Sequence, residues 1–455
     1  MLNYKRIILF FLFICFPQIV MSDDTHYKDM LFGGRAAGMG GAYIAISDDT
    51  SGCFYNPAGT VYAYEDSISG SGNALYIQNY KIGEIKSPLG DETDSYERIG
   101  ESFLANFIGV LRKNNAYTSC FVYLIPETVS EHQFNNYEIN DKKFEYEIDW
   151  NLEDTSYLAG PSLASSVSNE ISWGLGIYYH YRTGRFNQSE HTKLDLDSDG
   201  LGDTYGNLFH RGEFKEHGIL YKLGLQWSPV NEIVFGIVLD QLIIYRSLYT
   251  KNSSYTFHNW IFAHGFSGGN LSSSEDDSKR SIPSHLGFGF AYYPSPSTLY
   301  ALDLDFYNSI TTNIPFGFPN INDNSILPFS EPVPDSDDYQ VIQKSSPQSI
   351  DLNQIYNISL GIETYVNEGN SFAFGLYTNN TSAPEPGESN VFYYDHIDMN
   401  GLSMAYSSHT INSTFSIGLV ITKGEGTLVV NHFLPRKINT YPVSRNSMSL
   451  FIAVN

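Results

Sequence analysis

The chain has 455 residues, with 26 Lys and Arg against 50 Asp and Glu, and its formal net charge is −24 at pH 7. This acidic excess excludes a nucleic acid as the partner and argues against a polyanionic substrate. Aromatic residues make up 15% of the chain although its mean hydropathy is only −0.23. That combination is typical of membrane β-barrels, in which outward apolar residues alternate with inward polar ones.

The N-terminus has the pattern of a secretory signal peptide over residues 1–22. Lys5 and Arg6 form the positive region, residues 7–16 the apolar core, and residues 20–22 the cleavage site. Removal of this peptide leaves 24 basic and 50 acidic residues, a net charge of −26. No later stretch reaches the roughly 20 apolar residues that a spanning helix needs. We therefore expect an exported protein, and the strand pattern described below favours the bacterial outer membrane.

A glycine-rich stretch, residues 31–60, follows the signal peptide. Its glycines permit positive φ and close backbone approach, so we expect irregular, compact chain. A phosphate-binding loop is rejected here, because no Lys-Ser/Thr follows the glycines and no strand pattern precedes them. An acidic pair, Asp48-Asp49, comes next, and then Asn56-Pro57-Ala58-Gly59, where Pro57 favours an extended Asn56.

These residues resemble the N-terminal signature of the FadL/TodX family of outer-membrane transporters, G-x-R-A-A-G-M-G-G-A followed by D-D and N-P-A-G. In that family the segment forms a plug inside a 14-stranded barrel. The resemblance therefore implies a plug over residues 23–65 and a barrel over residues 66–455. It also implies a structural or gating role in the plug for Gly33, Arg35, Gly38, Gly40, Gly41, Asp48, Asp49, Asn56, Pro57 and Ala58.

After this segment, apolar residues recur at every second position, which is the pattern of half-exposed β-strands. The stretch 171–179, for example, places Ile, Trp, Leu, Ile and Tyr at its odd positions. The pattern predicts an all-β chain with fourteen antiparallel strands. They cover residues 66–79, 101–111, 116–125, 156–167, 171–182, 217–227, 233–245, 283–293, 299–309, 355–365, 371–379, 400–407, 413–422 and 447–455.

The predicted connections alternate between short and long. Short turns are expected at 112–115, 168–170, 228–232, 294–298, 366–370 and 408–412. Long loops are expected at 80–100, 126–155, 183–216, 246–282, 310–354, 380–399 and 423–446. Short periplasmic turns and long external loops are typical of an outer-membrane barrel, and neither a β-solenoid nor a tandem sandwich requires them. Within the second long loop, the alternation of residues 144–152 predicts an extension of the β-structure.

Two further patterns concern ligands and cysteines. The acidic run Asp195, Asp197, Asp199 and Asp203 resembles the calcium loops of thrombospondin type 3 repeats, and it is either a weak Ca²⁺ site in an external loop or a solvated acidic loop. Cys53 and Cys120 remain after the signal peptide is removed. They allow one disulfide or two free thiols.

The sequence Gly265-Phe-Ser-Gly-Gly269 fits a nucleophile elbow only by chance, since it lies in a Ser/Asp-rich loop.

The family resemblance implies a channel for passive uptake of hydrophobic molecules such as long-chain fatty acids or aromatic hydrocarbons. The ligand would leave sideways through a gap in the wall made by a strand kink. No enzyme activity and no required cofactor are expected, and the partners would be a hydrophobic ligand and outer-membrane lipid. Two alternatives remain open: a barrel that serves as a docking or shuttle protein for secretion or surface assembly, and a secreted soluble β-protein such as an adhesin.

Overall fold

The computed structural model describes residues 25–28, 30–86, 93–139, 144–194, 204–259, 264–275, 279–314, 348–385, 395–433 and 436–455. The predicted signal peptide and the acidic run at 195–203 lie outside these residues. None of the helices in the described ranges has the length and apolar character needed to cross a membrane.

Seventeen strands are formed by the described residues. They are β1 (Ser67–Lys86), β2 (Thr93–Lys113), β3 (Thr118–Ile139), β4 (Phe144–Ser166), β5 (Ile171–Leu194), β6 (Thr204–Val230), β7 (Ile233–Asn259), β8 (His264–Glu275), β9 (His285–Ser295), β10 (Thr298–Tyr307), β11 (Ile310–Ile314), β12 (Gln348–Leu352), β13 (Ile355–Asn367), β14 (Asn370–Asn379), β15 (His396–His409), β16 (Thr414–Phe433) and β17 (Arg436–Val454).

Fourteen of these strands close into an antiparallel barrel. Each pairs with the next along the chain, from β1 to β7 and then through β9, β10 and β13 to β17, and β17 pairs with β1 to close the ring. Strand β8 pairs only with the far end of β7, and β11 pairs with β12 in a separate two-stranded sheet. The predicted fold class, an all-β barrel of fourteen strands, is confirmed.

The wall of the barrel is apolar outside and polar inside. On β13, Tyr356, Ile358 and Leu360 are 63%, 37% and 48% exposed, whereas Asn357 and Ser359 are fully buried. This arrangement is the reverse of that in a soluble protein and leaves a band of large apolar side chains on the outer face. The barrel is therefore of the outer-membrane type, and the alternative of a soluble β-protein is wrong.

Each of the fourteen predicted strands overlaps a different barrel strand, and the short turns are confirmed with small shifts in their ends. One end of the barrel has connections of only two to four residues, at 114–117, 167–170, 231–232, 296–297, 368–369 and 410–413. Asn455 pairs with Thr414 at this same end. Because β1 also begins there, an even number of strands brings both ends of the barrel domain to one side.

Most of the predicted long loops are wrong, because strand pairing continues through them. Strands β6 and β7 each have 27 residues, whereas about 9–11 residues cross a bilayer. The predicted loops at 80–100, 126–155, 183–216, 246–282 and 423–446 are largely paired strand, and those at 310–354 and 380–399 contain β11, β12 and the start of β15. Backbone pairing does not require lipid on one face of a strand. The strands therefore continue beyond the residues that the apolar alternation identifies as facing lipid. The predicted extension at 144–152 is confirmed as part of β4.

Candidate functional site

The chain that precedes β1 runs across the interior of the barrel. We call residues 25–28 and 30–63 the N-terminal segment. It contains α1 (Gly34–Gly38), α2 (Gly52–Tyr55) and a 3₁₀ helix (Pro57–Tyr62). Helix α1 contacts strands β14 to β17, while the 3₁₀ helix contacts β4, β5 and β6. Since β5 and β14 are separated by about half of the ring, the segment spans the barrel from wall to wall.

Close contact between α1 and the wall depends on glycine on both sides. A Cβ on Gly375 of β14 would lie 2.1 Å from the backbone N of Gly40, and a Cβ on Gly38 would lie 2.6 Å from the Cβ of Ala405. The Ser403 hydroxyl donates a 2.9 Å hydrogen bond to the carbonyl oxygen of Gly38. The turn that follows α1 requires positive φ, 67° at Gly40 and 76° at Gly41, which glycine adopts without strain.

Asn56, Pro57 and Ala58 hold the other end of the segment. The Asn56 side chain donates to the carbonyl oxygens of Ile44 (2.8 Å) and Leu225 (3.2 Å), and its Oδ1 accepts from the backbone N–H of Ala58. Asn56 therefore caps the 3₁₀ helix, which begins at Pro57. Across the contact, the Ser172 hydroxyl donates to the carbonyl oxygen of Ala58 at 2.9 Å.

Arg35 connects the two parts of the signature to each other and to the wall. Its guanidinium donates to Asp48 at 2.6 Å and to Glu363 of β13 at 2.7 Å. Asp48 also accepts a hydrogen bond from the Tyr43 hydroxyl at 3.2 Å. Because Glu363 is only 3% exposed, the ion pair fixes α1 on one side of the barrel.

Asp49 forms its hydrogen bonds within the N-terminal segment. Its carboxylate accepts hydrogen bonds from the backbone N–H groups of Ser51 and Gly52 and from the Ser51 hydroxyl. Burial raises the pKa of Asp49, as does the adjacent Asp48 carboxylate, while the Ser51 hydrogen bond and the Arg35 charge oppose that rise. Like Arg35 and Asn56, this residue has a visible structural role.

A disulfide joins the N-terminal segment to the wall. Cys53 in α2 is bonded to Cys120 of β3, and the two Cα atoms are 6.1 Å apart. Both cysteines lie in an apolar cluster with Phe32, Phe107 and Tyr178. The sequence had left free thiols open as the alternative, which the structure excludes.

A cavity of about 250 Å³ lies between the segment and the wall. Apolar side chains from both sides line it, including Phe32, Phe54, Leu158, Leu220 and Val238. Polar side chains complete the lining, and they come from the N-terminal segment and from each of the barrel strands β3 to β7, β9 and β10. The cavity thus combines apolar surface with several polar and charged groups.

The basic groups of the lining are held in ion pairs. Lys28 lies 2.6 Å from Asp305, and Lys222 lies 2.9 Å from Asp240. His285 bridges the two carboxylates, at 2.8 Å from Asp240 and 3.0 Å from Asp305. Arg280 lies 2.9 Å from Glu216. Each Lys and Arg side chain of the lining is therefore paired with a carboxylate.

The wall beside the cavity contains an interruption of the β-ladder. Ile99 pairs with His132 and Phe107 with Leu124, but no pairs form between residues 100–106 of β2 and 125–131 of β3, all of which the structure describes. The register of β3 against β4 shifts between Leu124 and Glu127. Pro126 lies within that shift, and a proline has no N–H to donate to a ladder. Pro126 and Glu127 also line the cavity, which therefore reaches the interruption.

Sequence reasoning named the signature residues but did not locate the cavity or the interruption. The predicted third strand ended at residue 125, so Pro126 was assigned to a loop. The sequence contained one indication of the cavity, which is formed partly by Asp303 and Asp305. These charged residues stand at alternate positions of a strand whose other face is apolar. Asp303 accepts hydrogen bonds from the backbone N–H groups of Tyr43 (2.6 Å) and Ile44 (2.9 Å). The predicted calcium ligands Asp195, Asp197, Asp199 and Asp203 lie outside the described residues, so that site stays a prediction.

Comparison with solved structures confirms the resemblance to FadL and TodX at the level of the fold. A Pseudomonas aeruginosa FadL homologue matches with a TM-score of 0.59 and 11% identity, over 94% of this chain and 99% of that chain. The P. putida toluene transporter TodX gives 0.60 and 10%, over 93% and 97%. The Ralstonia pickettii toluene transporter TbuX gives 0.54 and 12%, over 93% and 97%. No protein-family model and no curated protein matches the sequence.

Proposed function

We propose that this chain is an outer-membrane channel for the passive uptake of small hydrophobic molecules, and that it is not an enzyme. The observation that carries the proposal is the interruption of the β2–β3 ladder directly beside a largely apolar cavity. An apolar solute gains nothing from a water-filled pore, so a sideways exit into lipid is the favourable route. The proteins of similar fold include toluene transporters, which supports this reading.

In this proposal the N-terminal segment acts as the plug. It crosses the barrel between β5 and β14, and it forms one side of the cavity. Its signature residues would hold the plug in place while a solute moves from the cavity towards Pro126. Long-chain fatty acids are the specific substrates that the family resemblance implies, and they belong to the proposal as candidates.

The test is uptake by the purified protein reconstituted in liposomes, with a fluorescent long-chain fatty acid and with toluene as separate probes. A Pro126→Val variant restores a backbone donor to β3 and should lower the uptake rate severalfold. The matched control is Pro161→Val on the neighbouring strand β4, because Pro161 does not line the cavity.

Saturable uptake that falls in Pro126→Val but not in Pro161→Val would support a lateral exit. A folded barrel that takes up neither probe would contradict the channel. The docking or shuttle role would then become the leading hypothesis.

A further inference from the structure

We propose that the cavity selects uncharged apolar molecules that carry one hydrogen-bonding group, such as an aromatic alcohol, and that His180 binds this group. The inference rests on the proposed channel function and narrows its substrate class. It is argued from three features of the lining: a histidine whose Nδ1 has no partner among the described residues, the apolar side chains beside it, and the pairing of each Lys and Arg side chain with a carboxylate.

His180 is buried in the wall of the cavity. It lies on β5, lines the cavity and is only 3% exposed. Within the described part of the chain, its Nδ1 has no hydrogen-bond partner. Leaving a buried polar atom unpaired is costly, and such atoms are rare in native proteins. A ligand hydroxyl or carbonyl that pairs with this ring would remove the cost.

Apolar side chains lie beside His180 in the lining. Leu158 on β4 is its direct cross-strand neighbour, and it also lines the cavity. Leu220 on β6 and Phe54 of the N-terminal segment contribute to the lining as well, while Arg280 lies within electrostatic reach of the imidazole. A ligand that contacts these apolar side chains together with His180 would present an apolar body and a polar group.

The charges of the lining disfavour an anionic ligand. Four carboxylates, Glu127, Asp240, Asp303 and Asp305, line the cavity together with three Lys or Arg side chains, Lys28, Lys222 and Arg280. Each of the three basic groups is within 3 Å of a carboxylate oxygen. A ligand carboxylate would have to break one of these pairs and leave a buried charge uncompensated. A fatty-acid anion is therefore a poor ligand for this site.

A cationic ligand finds most of the carboxylates of the lining already paired. Asp240 and Asp305 are bridged by Lys222, Lys28 and His285. Asp303 accepts two backbone hydrogen bonds from the N-terminal segment, both on Oδ2, and its Oδ1 has no partner in the described part of the chain. A ligand ammonium would therefore lose its hydration and gain, among these three residues, only the Oδ1 of Asp303.

The experiment compares four probes that share one phenyl ring and one attached carbon: toluene, benzyl alcohol, benzoate and benzylammonium. Each competes at neutral pH with a fluorescent apolar dye bound to the detergent-purified protein. The variants are His180→Leu and His180→Asn, of which the second retains a hydrogen-bonding group. The matched control is His217→Leu on the neighbouring strand, because His217 is half-buried, does not line the cavity and bonds to the Tyr179 hydroxyl.

We expect His180→Leu to weaken the binding of benzyl alcohol about fivefold and to leave toluene binding unchanged or tighter. His180→Asn should restore part of the loss, and His217→Leu should resemble the wild type. Benzoate and benzylammonium should bind at least about tenfold more weakly than benzyl alcohol, since each loses the hydration of its charge on entering the site.

An equal loss of benzyl alcohol and toluene in His180→Leu would mean that His180 only shapes the cavity, and the proposal would be overturned. Tight binding of benzoate or benzylammonium would overturn the charge selection. Failure of the channel function itself gives a different result, because liposomes containing the wild type would then take up neither toluene nor a fatty acid.

Discussion

Cys53 of the N-terminal segment is covalently bonded to Cys120 of β3, the strand that carries Pro126 and borders the interrupted ladder. The base of the segment is thereby attached to the same part of the wall at which a solute would leave. In the proposed channel, the disulfide would limit any rearrangement of the segment at Cys53, whereas the chain that precedes α2 is held by hydrogen bonds, packing and ion pairs.

Removal of the disulfide should loosen the segment. The bond closes a loop with a sequence separation of 67 residues, so we expect Cys53→Ser, Cys120→Ser and the double variant each to lose about 2–4 kcal/mol of stability. Thermal unfolding in detergent, followed by circular dichroism, measures this loss. The wild type in reductant should match the double variant. A single variant much less stable than the double would indicate that the remaining thiol, not the missing bond, causes the effect.

Arg35→Ala should release α1 from the wall. The change removes a partner of the Glu363 carboxylate, which is 3% exposed, and breaking a buried ion pair costs about 3 kcal/mol. We expect a lower unfolding temperature and faster tryptic cleavage of the N-terminal segment.

The double variant Arg35→Ala/Glu363→Gln provides the control for this prediction. A neutral amide tolerates burial better than an unpaired carboxylate, so the double variant should recover part of the stability. If the double variant is less stable than Arg35→Ala, the explanation by an uncompensated charge is wrong.

Gly375→Val should displace the turn after α1. The added side chain would begin 2.1 Å from the backbone N of Gly40, a contact that requires the turn to move. We expect an increased ion conductance in planar bilayers, because the displaced segment leaves more of the lumen open. Gly70→Ala on β1 is the matched control, since the nearest atom to its Cβ would be the carbonyl oxygen of Phe107 at an ordinary 3.8 Å. Equal conductance of the two variants would contradict the prediction.

Asn56→Asp should be at least as damaging as Asn56→Ala. The alanine variant leaves the N–H of Ala58 without its cap, which costs about 1 kcal/mol. The aspartate keeps that acceptor but directs a negative charge at the carbonyl oxygens of Ile44 and Leu225, at distances of 2.8 and 3.2 Å in the wild type. Urea or thermal unfolding in detergent ranks the two variants. A fully stable Asn56→Asp would show that the amide donor is dispensable.

The sequence by itself determined the fold class, the fourteen barrel strands and the short turns. Lipid on one face and a polar interior on the other require alternation at every second residue, as between Tyr356 and Leu360, and this requirement is local to each strand. The glycines of the signature were equally readable, because positive φ at Gly40 and Gly41 is a property of the residue itself.

Only the tertiary structure decided the cavity, the interruption at Pro126, the disulfide and the surroundings of His180. Each depends on residues that are far apart in the chain and that meet only when the ring closes, as Arg35 meets Glu363. The length of the strands was predicted too short, because backbone pairing does not require apolar alternation. A single sequence indicates whether a residue faces lipid or the barrel interior. The contacts that the residue makes in the interior are determined by the closure of the barrel.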